Sequence, residues 1–382
     1  QTVDLCAPQN LMFIGGRGVA KTTDIQAERS QDVVYDMPRA YSALIGDTYD
    51  NVARNIAPSL LEGWVRKGWQ EGVHFVTDER PPKNFDKPYK PPMTYKHTIS
   101  TFNGHFFNIG SLAQPTSLAG NSYQHFFIDE AKNCHFDKLK KLFPALRGDY
   151  TLFGHSPFFL GMTATTDMPR IGDGEHDWIL NYEKEMSKER VLVAIEAGIK
   201  LNEIKMKLYK AKKSRNKSRI KSLTNQYVIW KELWVRSRMD LTMFFTVSSF
   251  ANADILRKDY FLKTLQSLGI EEFKSAVLSL KEELRAGEKF YVNLGEHHFF
   301  DDGVNIDYYQ KFKLTEKVKE SSEGLRYIQH NQPLDCGIDF GNQCSMVMGQ
   351  EKGSYYYILK DIYTLAPESS KELAKKFIDF FK

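Results

Sequence analysis

Short apolar runs alternate with longer amphipathic or polar stretches through the first 170 residues. Leu11–Ile14 ends in glycines, and "YSALIG" (Tyr41–Gly46) is a second such run. "QHFFIDEAKN" and "FFLGMTATTD" (Phe158–Asp167) follow, and each becomes polar at its carboxyl end. Short apolar runs bounded by turn residues are typical of buried parallel strands. We therefore predict a doubly wound α/β domain whose site lies at the carboxyl edge of the sheet.

Helix and turn signals fill the spaces between these runs. A helical pattern begins at Thr22, and Asp47 with Thr48 can cap a helix that continues toward Trp69. Residues 80–93 ("RPPKNFDKPYKPPM") are proline-rich, which predicts an irregular loop. "TISTFNGHFFNIGS" alternates around Asn103-Gly104 and predicts a hairpin.

Residues 183–240 differ from their surroundings because they are charged, helix-prone and nearly free of glycine and proline. The segment Lys205–Lys221 ("KMKLYKAKKSRNKSRIK") is densely basic. We expect a helical insertion in the first domain. Two interpretations of its charge remain open: a solvated helical hairpin, or an arm that faces DNA, since clustered cations neutralise phosphates.

The last part of the chain predicts a second domain. Residues 1–312 form the first domain, the polar stretch 313–326 a linker, and 327–382 the second domain. "LDCGIDFGNQCSMVMGQEKGSYYYILKDIYT" contains three strand-like runs joined by tight turns, which predicts an antiparallel meander. Ser369 and Glu372 then fit a capping box that opens an amphipathic helix.

Composition changes this picture little. The 382 residues are 42% hydrophobic, enough for two domains, and the net charge of +4 permits nucleic-acid binding without arguing for it. Four scattered cysteines suit a reducing compartment and argue against a structural zinc site. Neither a long apolar run nor an export leader is present, so we expect no membrane association. Because the sequence opens on Gln1 and closes within a helix-like pattern, we expect a fragment with an incomplete second domain.

The stretch "GGRGVAKTT" predicts a nucleotide site between the first strand and the following helix. Glycines let backbone N–H groups turn toward phosphate oxygens, and the helix offers its positive end. Lys21 would reach the β- and γ-phosphates, and the Thr22 hydroxyl would ligate Mg²⁺. Ala20 replaces the last glycine of the pattern; if that position needs a positive φ, the cost is about 1 kcal/mol. The predicted nucleotide-binding residues are Gly15, Gly16, Arg17, Gly18, Val19, Ala20, Lys21, Thr22 and Thr23.

Two adjacent acids at the end of a later apolar strand complete the predicted chemistry. A loop of this type needs a carboxylate to support Mg²⁺ and, for hydrolysis, a group that activates water. In "HFFIDEA", Asp129 would support the metal and Glu130 would activate the attacking water. Glu130 would therefore distinguish a hydrolase from a protein that only stores nucleotide.

Arg17 and the polar end of "TATTD" are further candidates. A guanidinium within the loop would lie near the γ-phosphate, where charge builds in the transition state. A surface arginine on a loop is the alternative. In the strand, Thr163, Ala164 and Thr165 form a candidate coupling motif, whose threonines would sense the γ-phosphate, although threonine is common in strands for other reasons.

These motifs, in this order, resemble the large terminase subunit of tailed bacteriophages, the motor that packages DNA into the capsid. That family carries a "GGRGxGKT"-like loop, an apolar strand ending in Asp-Glu-Ala and a Thr-Ala-Thr coupling motif; here they are "GGRGVAKTT", "FFIDEA" and "TAT". "SSFANADIL" (Ser248–Leu256) is similar to a serine-and-asparagine segment of the family. The resemblance implies a RecA-like P-loop ATPase domain followed by the N-terminal part of an RNase H-like α/β nuclease domain.

For the second domain the resemblance implies a metal-dependent nuclease. "DCGIDFG" is similar to the first strand of such nucleases, which puts Asp339 on Mg²⁺ or Mn²⁺. Two-metal hydrolysis needs several converging carboxylates, and only Asp339 is convincing. Asp361 is more simply explained as a solvated acid on a strand. The adenine-recognising glutamine cannot be placed, with Gln9 and Gln1 both as candidates.

The predicted function is a viral DNA-packaging motor: ATP hydrolysis with Mg²⁺ moves double-stranded DNA into the procapsid, and the C-terminal domain cuts concatemeric DNA. The resemblance also implies a pentameric ring on the portal protein, a small terminase subunit as partner, and action in the host cytoplasm at the procapsid, not in the mature virion. Two alternatives are an ATP-dependent translocase or helicase without nuclease activity, and a nucleotide-regulated assembly protein.

Overall fold

The structure, a computed structural model, describes residues 2–170, 174–281, 299–300, 302–313, 316–340, 343–365 and 368–381. It divides into two compact units, Gln1–Val292 and Asn293–Lys382. Residues 293–312, which the sequence pattern grouped with the first domain, belong to the second unit in this division. Within the described residues, none of the helices has both the length and the apolar character needed to cross a membrane.

The first unit is built on an eight-stranded, mostly parallel sheet with the order β3-β4-β5-β2-β6-β7-β1-β8. The parallel strands are β5, β2, β6, β7, β1 and β8, whereas β3 and β4 join at one edge in antiparallel pairing. The strands are β1 (Asn10–Gly15), β2 (Tyr41–Gly46), β3 (Phe75–Thr77), β4 (Thr98–Thr101), β5 (Phe106–Ser111), β6 (His125–Ile128), β7 (Gly161–Thr166) and β8 (Thr242–Val247). The predicted α/β class is confirmed, and the arrangement is consistent with a RecA-like fold.

Helices cover both faces of this sheet. They are α1 (Thr2–Cys6), α2 (a wide π-type turn Lys21–Gln26 continuing as Ala27–Asp36), α3 (Tyr49–Asn51, Val52–Ile56 and Ala57–Arg66), α4 (Pro115–Ala119), α5 (Phe136–Lys140), α6 (Tyr150–Phe153), α7 (Tyr182–Glu185), α8 (Lys188–Lys213), α9 (Lys217–Arg238) and α10 (Ala253–Ala276, interrupted at Arg257 and Gly269). Short 3₁₀ turns occupy Ala131–Asn133, Phe143–Ala145, Trp178–Asn181 and Ser249–Asn252.

Alternation along β1 explains why its sequence is apolar throughout. Met12 and Ile14 pack into the larger core with β2 and β6, whereas Leu11 and Phe13 pack on the opposite face with α1, α8 and β8. A strand buried on both faces has no solvent side on which to place polar residues. Polar groups therefore gather where the parallel strands end, which is also where the loop after Gly15 begins.

Several local predictions are confirmed. The Thr48 side chain accepts a hydrogen bond from Asn51 N and caps α3. Gly104 has a φ of 78° in the turn between β4 and β5, as the hairpin signal requires. Residues 183–240 contain the antiparallel helix pair α8 and α9, which are joined by a short turn.

The second unit contains a three-stranded antiparallel sheet with the order β11-β10-β9. Its strands are β9 (Asp335–Asp339), β10 (Gln343–Lys352) and β11 (Tyr355–Leu365), with the helices α11 (Ile306–Tyr309) and α12 (Ser370–Phe381) and a 3₁₀ turn at Ser322–Gly324. The predicted meander is confirmed. Glu372 accepts hydrogen bonds from Ser369 N and Ser369 Oγ, as the capping-box signal requires.

Candidate nucleotide site

The loop between β1 and α2 has a backbone that only small residues can follow. Gly18 has a φ of 86°, and Ala20 lies in the left-handed region at φ 61° and ψ 42°. At Gly16 a β-carbon would lie 2.4 Å from Ser249 Oγ and 2.5 Å from the carbonyl of Val277. The Ala20 position therefore has the positive φ that makes alanine costlier than glycine, and the loop trades this cost for its curved shape.

A segment after β8 holds the loop from outside. Ser249 Oγ donates to Arg17 O at 2.7 Å, and Asn252 Nδ2 donates to Gly18 O at 2.8 Å. Gly16 N donates to the carbonyl of Val247 at 3.0 Å. These contacts give a physical role to the "SSFAN" stretch, which the sequence had marked only by resemblance. With its outer carbonyls engaged, the loop directs its later amides, from residue 18 to residue 22, toward the space at the strand ends.

The structure brings the loop and the acidic pair together. Thr22 Oγ1 donates to Asp129 Oδ2 at 2.5 Å, and Lys21 Nζ donates to Gly15 O at 3.1 Å. Asp129 is almost completely buried, with 1% of its surface exposed. Its second oxygen, Oδ1, accepts from Thr165 Oγ1 at 2.5 Å and from Glu130 N at 2.9 Å. The carboxylate is thus fixed against the hydroxyl predicted to ligate Mg²⁺.

Glu130 lies beside this carboxylate in an unusual backbone conformation. Its φ of 51° and ψ of 49° are left-handed, a region that non-glycine residues rarely adopt. Burial raises the pKa of its carboxyl to about 7, Lys21 opposes the rise, and Asp129 and Asp167 add to it. A carboxyl with a pKa near neutral pH is suited to take a proton from water. Strained backbone and a shifted pKa together are typical of functional positions.

Arg17 lies among acidic side chains rather than over the loop. Its Nε is 3.5 Å from Asp167 Oδ2, and its Nη2 is 3.4 Å from Glu272 Oε1. Asp167 directly follows β7 and is also 3.0 Å from Lys132 Nζ. The Arg17 side chain is 45% exposed. To act on a γ-phosphate it would have to exchange these carboxylates for the nucleotide.

The three residues of the coupling motif have different surroundings. Thr165 contacts Asp129, as described above. Thr163 lies two residues earlier on the same face, where its Oγ1 is 2.9 Å from His125 Nε2 and accepts from Arg29 Nε at 3.3 Å. Ala164 faces the larger core. Of the three, Thr165 is the residue that touches the acidic pair.

Gln26 and Arg29 are two positions that sequence reasoning missed. Gln26 Nε2 donates to Ile128 O at 2.8 Å and to Thr165 Oγ1 at 3.0 Å, so it ties α2 to both neighbouring strand ends. Arg29 is buried and donates to the carbonyls of Pro8 and Gln9. The available signal was spacing, because Gln26 lies four residues after Thr22 and so shares its helix face.

Gln9 has a structural role here. Its Nε2 donates to Phe159 O at 2.7 Å, and its Oε1 accepts from Asp240 N at 2.6 Å, so both ends of the amide are bound to backbone. Gln1, the other candidate for adenine recognition, lies outside the described residues.

Asp339 lies in the second unit, exposed at the end of β9 and opposite Ser345. Asp361 is exposed on β11, opposite Val347, which in turn pairs with Gly337. Two strand spacings, at about 4.8 Å each, therefore separate Asp361 from the strand of Asp339, too far for a shared metal ion. Asp361 is a solvated strand acid, as expected. The part of the chain that the structure describes contains no group of three or more His, Cys, Asp or Glu side chains able to hold a metal ion.

Comparison with known proteins gives structural neighbours only. No protein-family model matches the sequence, and no curated protein matches it. The structure is similar to the large terminase from a thermophilic bacteriophage in complex with ADP, at 10% identity and a TM-score of 0.42, over 98% of this chain and 69% of that chain. For the same terminase with ATP-gamma-S the values are 10%, 0.44, 99% and 70%.

A second neighbour is the Thermus phage P74-26 large terminase ATPase domain, at 12% identity and a TM-score of 0.39, over 71% of this chain and 88% of that chain. At these identities a functional assignment depends on the residues of the loop and the strand ends. In its fold, the chain is similar to large terminases of two thermophilic phages.

Proposed function

We propose that the chain is an ATP-hydrolysing motor that packages phage DNA. The observation that carries the proposal is the hydrogen bond between Thr22 Oγ1 and Asp129 Oδ2, because it joins the phosphate loop to the acidic strand end. A hydroxyl and a carboxylate are the oxygen ligands that Mg²⁺ prefers, so the two residues fit a magnesium-bound triphosphate. When bound, the ion would neutralise phosphate charge.

The chain's own residues divide the remaining work. Amides of residues 18–22 and the Lys21 ammonium bind phosphate oxygens. Thr165 and Gln26 hold the Asp129 carboxylate in position. Glu130 accepts a proton from the attacking water, and its raised pKa makes the acceptor effective near neutral pH. Arg17 leaves Asp167 and Glu272 to stabilise charge on the γ-phosphate, which would free the end of β7 to move.

The acid next to Asp129 favours hydrolysis over nucleotide storage. A nucleotide-regulated assembly protein needs the loop but not a buried base beside it. A helicase or translocase without nuclease activity remains the nearer alternative, and it differs from the proposal in the second unit. The motor would act as a ring, pentameric by the resemblance, on the portal protein in the host cytoplasm. Double-stranded DNA and a small terminase subunit would be its other partners.

The ATPase is tested by phosphate release with double-stranded DNA present. We expect Lys21→Ala to abolish turnover and Glu130→Ala to lower it at least 100-fold, whereas Lys141→Ala, on an exposed lysine, leaves it unchanged. A wild-type chain that binds ATP without any turnover, even with DNA and portal protein, would favour the assembly protein.

Nuclease cutting by the second unit rests on the resemblance of "DCGIDFG" and on Asp339 as a ligand of Mg²⁺ or Mn²⁺. The described residues place no second carboxylate beside it, so they do not by themselves form a two-metal site, and no step is derived through one. We expect Asp339→Ala to abolish plasmid cleavage in Mn²⁺ while sparing ATPase activity. Asp361→Ala is the matched control, and equal cleavage by the two variants refutes the role of Asp339.

A further inference from the structure

The tip of the helical hairpin carries charge of one sign. The tip segment, Lys205–Lys221, spans the end of α8, the turn and the start of α9. Its Lys and Arg side chains are all exposed, and it contains no acidic residue. They are Lys205, Lys207, Lys210, Lys212, Lys213, Arg215, Lys217, Arg219 and Lys221.

The base of the same hairpin is charged differently. There cations alternate with Glu189, Glu196, Glu203 and Glu232. Lys200 Nζ, for example, is 3.3 Å from Glu203 Oε2. A surface that only needs to be soluble is well served by such mixed charge. The change from mixed charge at the base to cations alone at the tip indicates that the tip has another task.

The one-sided charge also costs stability. Lys207, Lys210 and Lys213 follow one another at intervals of three residues, which places like charges on neighbouring positions of α8. At the other helix, Lys217 and Arg219 lie next to the positive N-terminal end of α9, whose first turn contains no acid. Each such contact costs some tenths of a kcal/mol, and an anion bound at the tip would reverse its sign.

The hairpin holds its tip away from the sheet. Trp234 Nε1 donates to Leu5 O at 2.8 Å, and Gly198 packs closely against that same carbonyl, so the base is attached to α1. From Gly198 to the end of α8 is fifteen residues, or about 22 Å of helix. Along this distance α8 and α9 pack against each other. The cations are therefore presented on a paired, supported arm.

We propose that the tip segment contacts the phosphate backbone of double-stranded DNA, an inference that rests on the proposed motor function. The exposed side chains from residue 210 to residue 219 are cations, serines and an asparagine, which are the side chains that bind phosphate oxygens. A protein partner would call for exposed apolar anchors there, and Ala211, the apolar residue of that stretch, is buried. Flexible cations without a base-reading framework give contacts independent of sequence.

The test compares two triple variants of equal charge change in the 382-residue chain. Lys210→Gln, Lys213→Gln and Lys217→Gln remove tip cations, and Lys188→Gln, Lys200→Gln and Lys231→Gln remove exposed base cations. Binding of a labelled 30-base-pair duplex is measured by anisotropy over a range of KCl concentrations. Each lost phosphate contact lowers the slope of log K against log salt by about 0.9, so we expect the tip variant's slope to fall by up to about 2.7.

The base variant should keep the wild-type slope, and a second duplex of unrelated sequence should bind equally well. Circular dichroism and ATPase activity without DNA check that all three proteins are folded. Equal slopes for the tip and base variants would overturn the DNA contact and leave the motor standing, as would a tip that serves a protein instead. A wild-type chain that binds no duplex at all would overturn both.

Discussion

Glu130→Gln should make the protein more stable and inactive at the same time. The wild-type carboxyl has a pKa of about 7 in the folded protein, against an ordinary value of 4.5. Burial is the main cause, so ionising Glu130 destabilises the folded state. Each tenfold change in proton affinity corresponds to 1.36 kcal/mol, which gives a destabilisation of about 3 kcal/mol once pH exceeds 7. Glutamine has a similar shape and no charge, so it removes this cost.

The sign of the pH dependence follows from the raised pKa. Below pH 4.5 the carboxyl is neutral in both folded and unfolded chains, and it contributes no destabilisation there. As pH rises through 7, the unfolded chain has already lost the proton that the folded chain still holds, and wild-type stability falls relative to the variant. We therefore expect the advantage of Glu130→Gln to be about 2 to 3 kcal/mol larger at pH 8 than at pH 5.

Urea unfolding in EDTA, without nucleotide, measures this difference. Glu185→Gln removes an exposed carboxylate and serves as the control for loss of charge. Turnover of ATP by Glu130→Gln should fall at least 100-fold. An equal advantage at both pH values would refute the reasoning that burial holds Glu130 ready as a base.

Three further predictions concern the surroundings of the site. Burial lowers the pKa of His125 to about 3 and that of His105 to about 4, so their stabilising contribution is full above pH 6.5 and is lost as pH falls; His125→Gln should flatten the decline of unfolding free energy between pH 6 and pH 4.5 by about one proton, and an unchanged slope would contradict this. Ala20→Gly should raise the unfolding free energy by up to about 1 kcal/mol, measured in urea, because φ is 61°; a loss of stability would argue against the left-handed loop. Gln26→Leu should lower kcat about tenfold with KM for ATP within twofold, since it frees Thr165 and Asp129 without touching the phosphates; a change in KM alone would contradict a positioning role.

The strands and the loop were predictable because their signals are local. Apolar runs ending in glycine or acid identified β1, β2, β6 and β7, since a strand buried on both faces leaves little choice of residue. The placement of Asp129 near Thr22 also followed from parallel strands ending at one edge of a sheet. The hairpin insertion followed from composition, because glycine and proline are nearly missing from 183–240.

Long-range partners could not be predicted from the same signals. Nothing near Gln26 in the sequence indicates that its amide joins two strand ends more than 100 residues away. The acidic partners of Arg17 are equally remote, since Asp167 and Glu272 come from different elements. The backbone strain at Glu130 depends on the turn after β6, which a two-residue motif does not reveal. Such contacts are set by the assembled fold.

A double-mutant cycle between Thr22 and Asp129 tests the central claim, that the loop and the acidic strand end hold one nucleotide. Affinity for ATP with Mg²⁺ is measured by calorimetry for the wild type, Thr22→Val, Asp129→Asn and the double variant. Because the two side chains share a 2.5 Å hydrogen bond, we expect their losses to be coupled by about 1.5 to 3 kcal/mol. Losses that add to within about 0.5 kcal/mol would contradict a shared site.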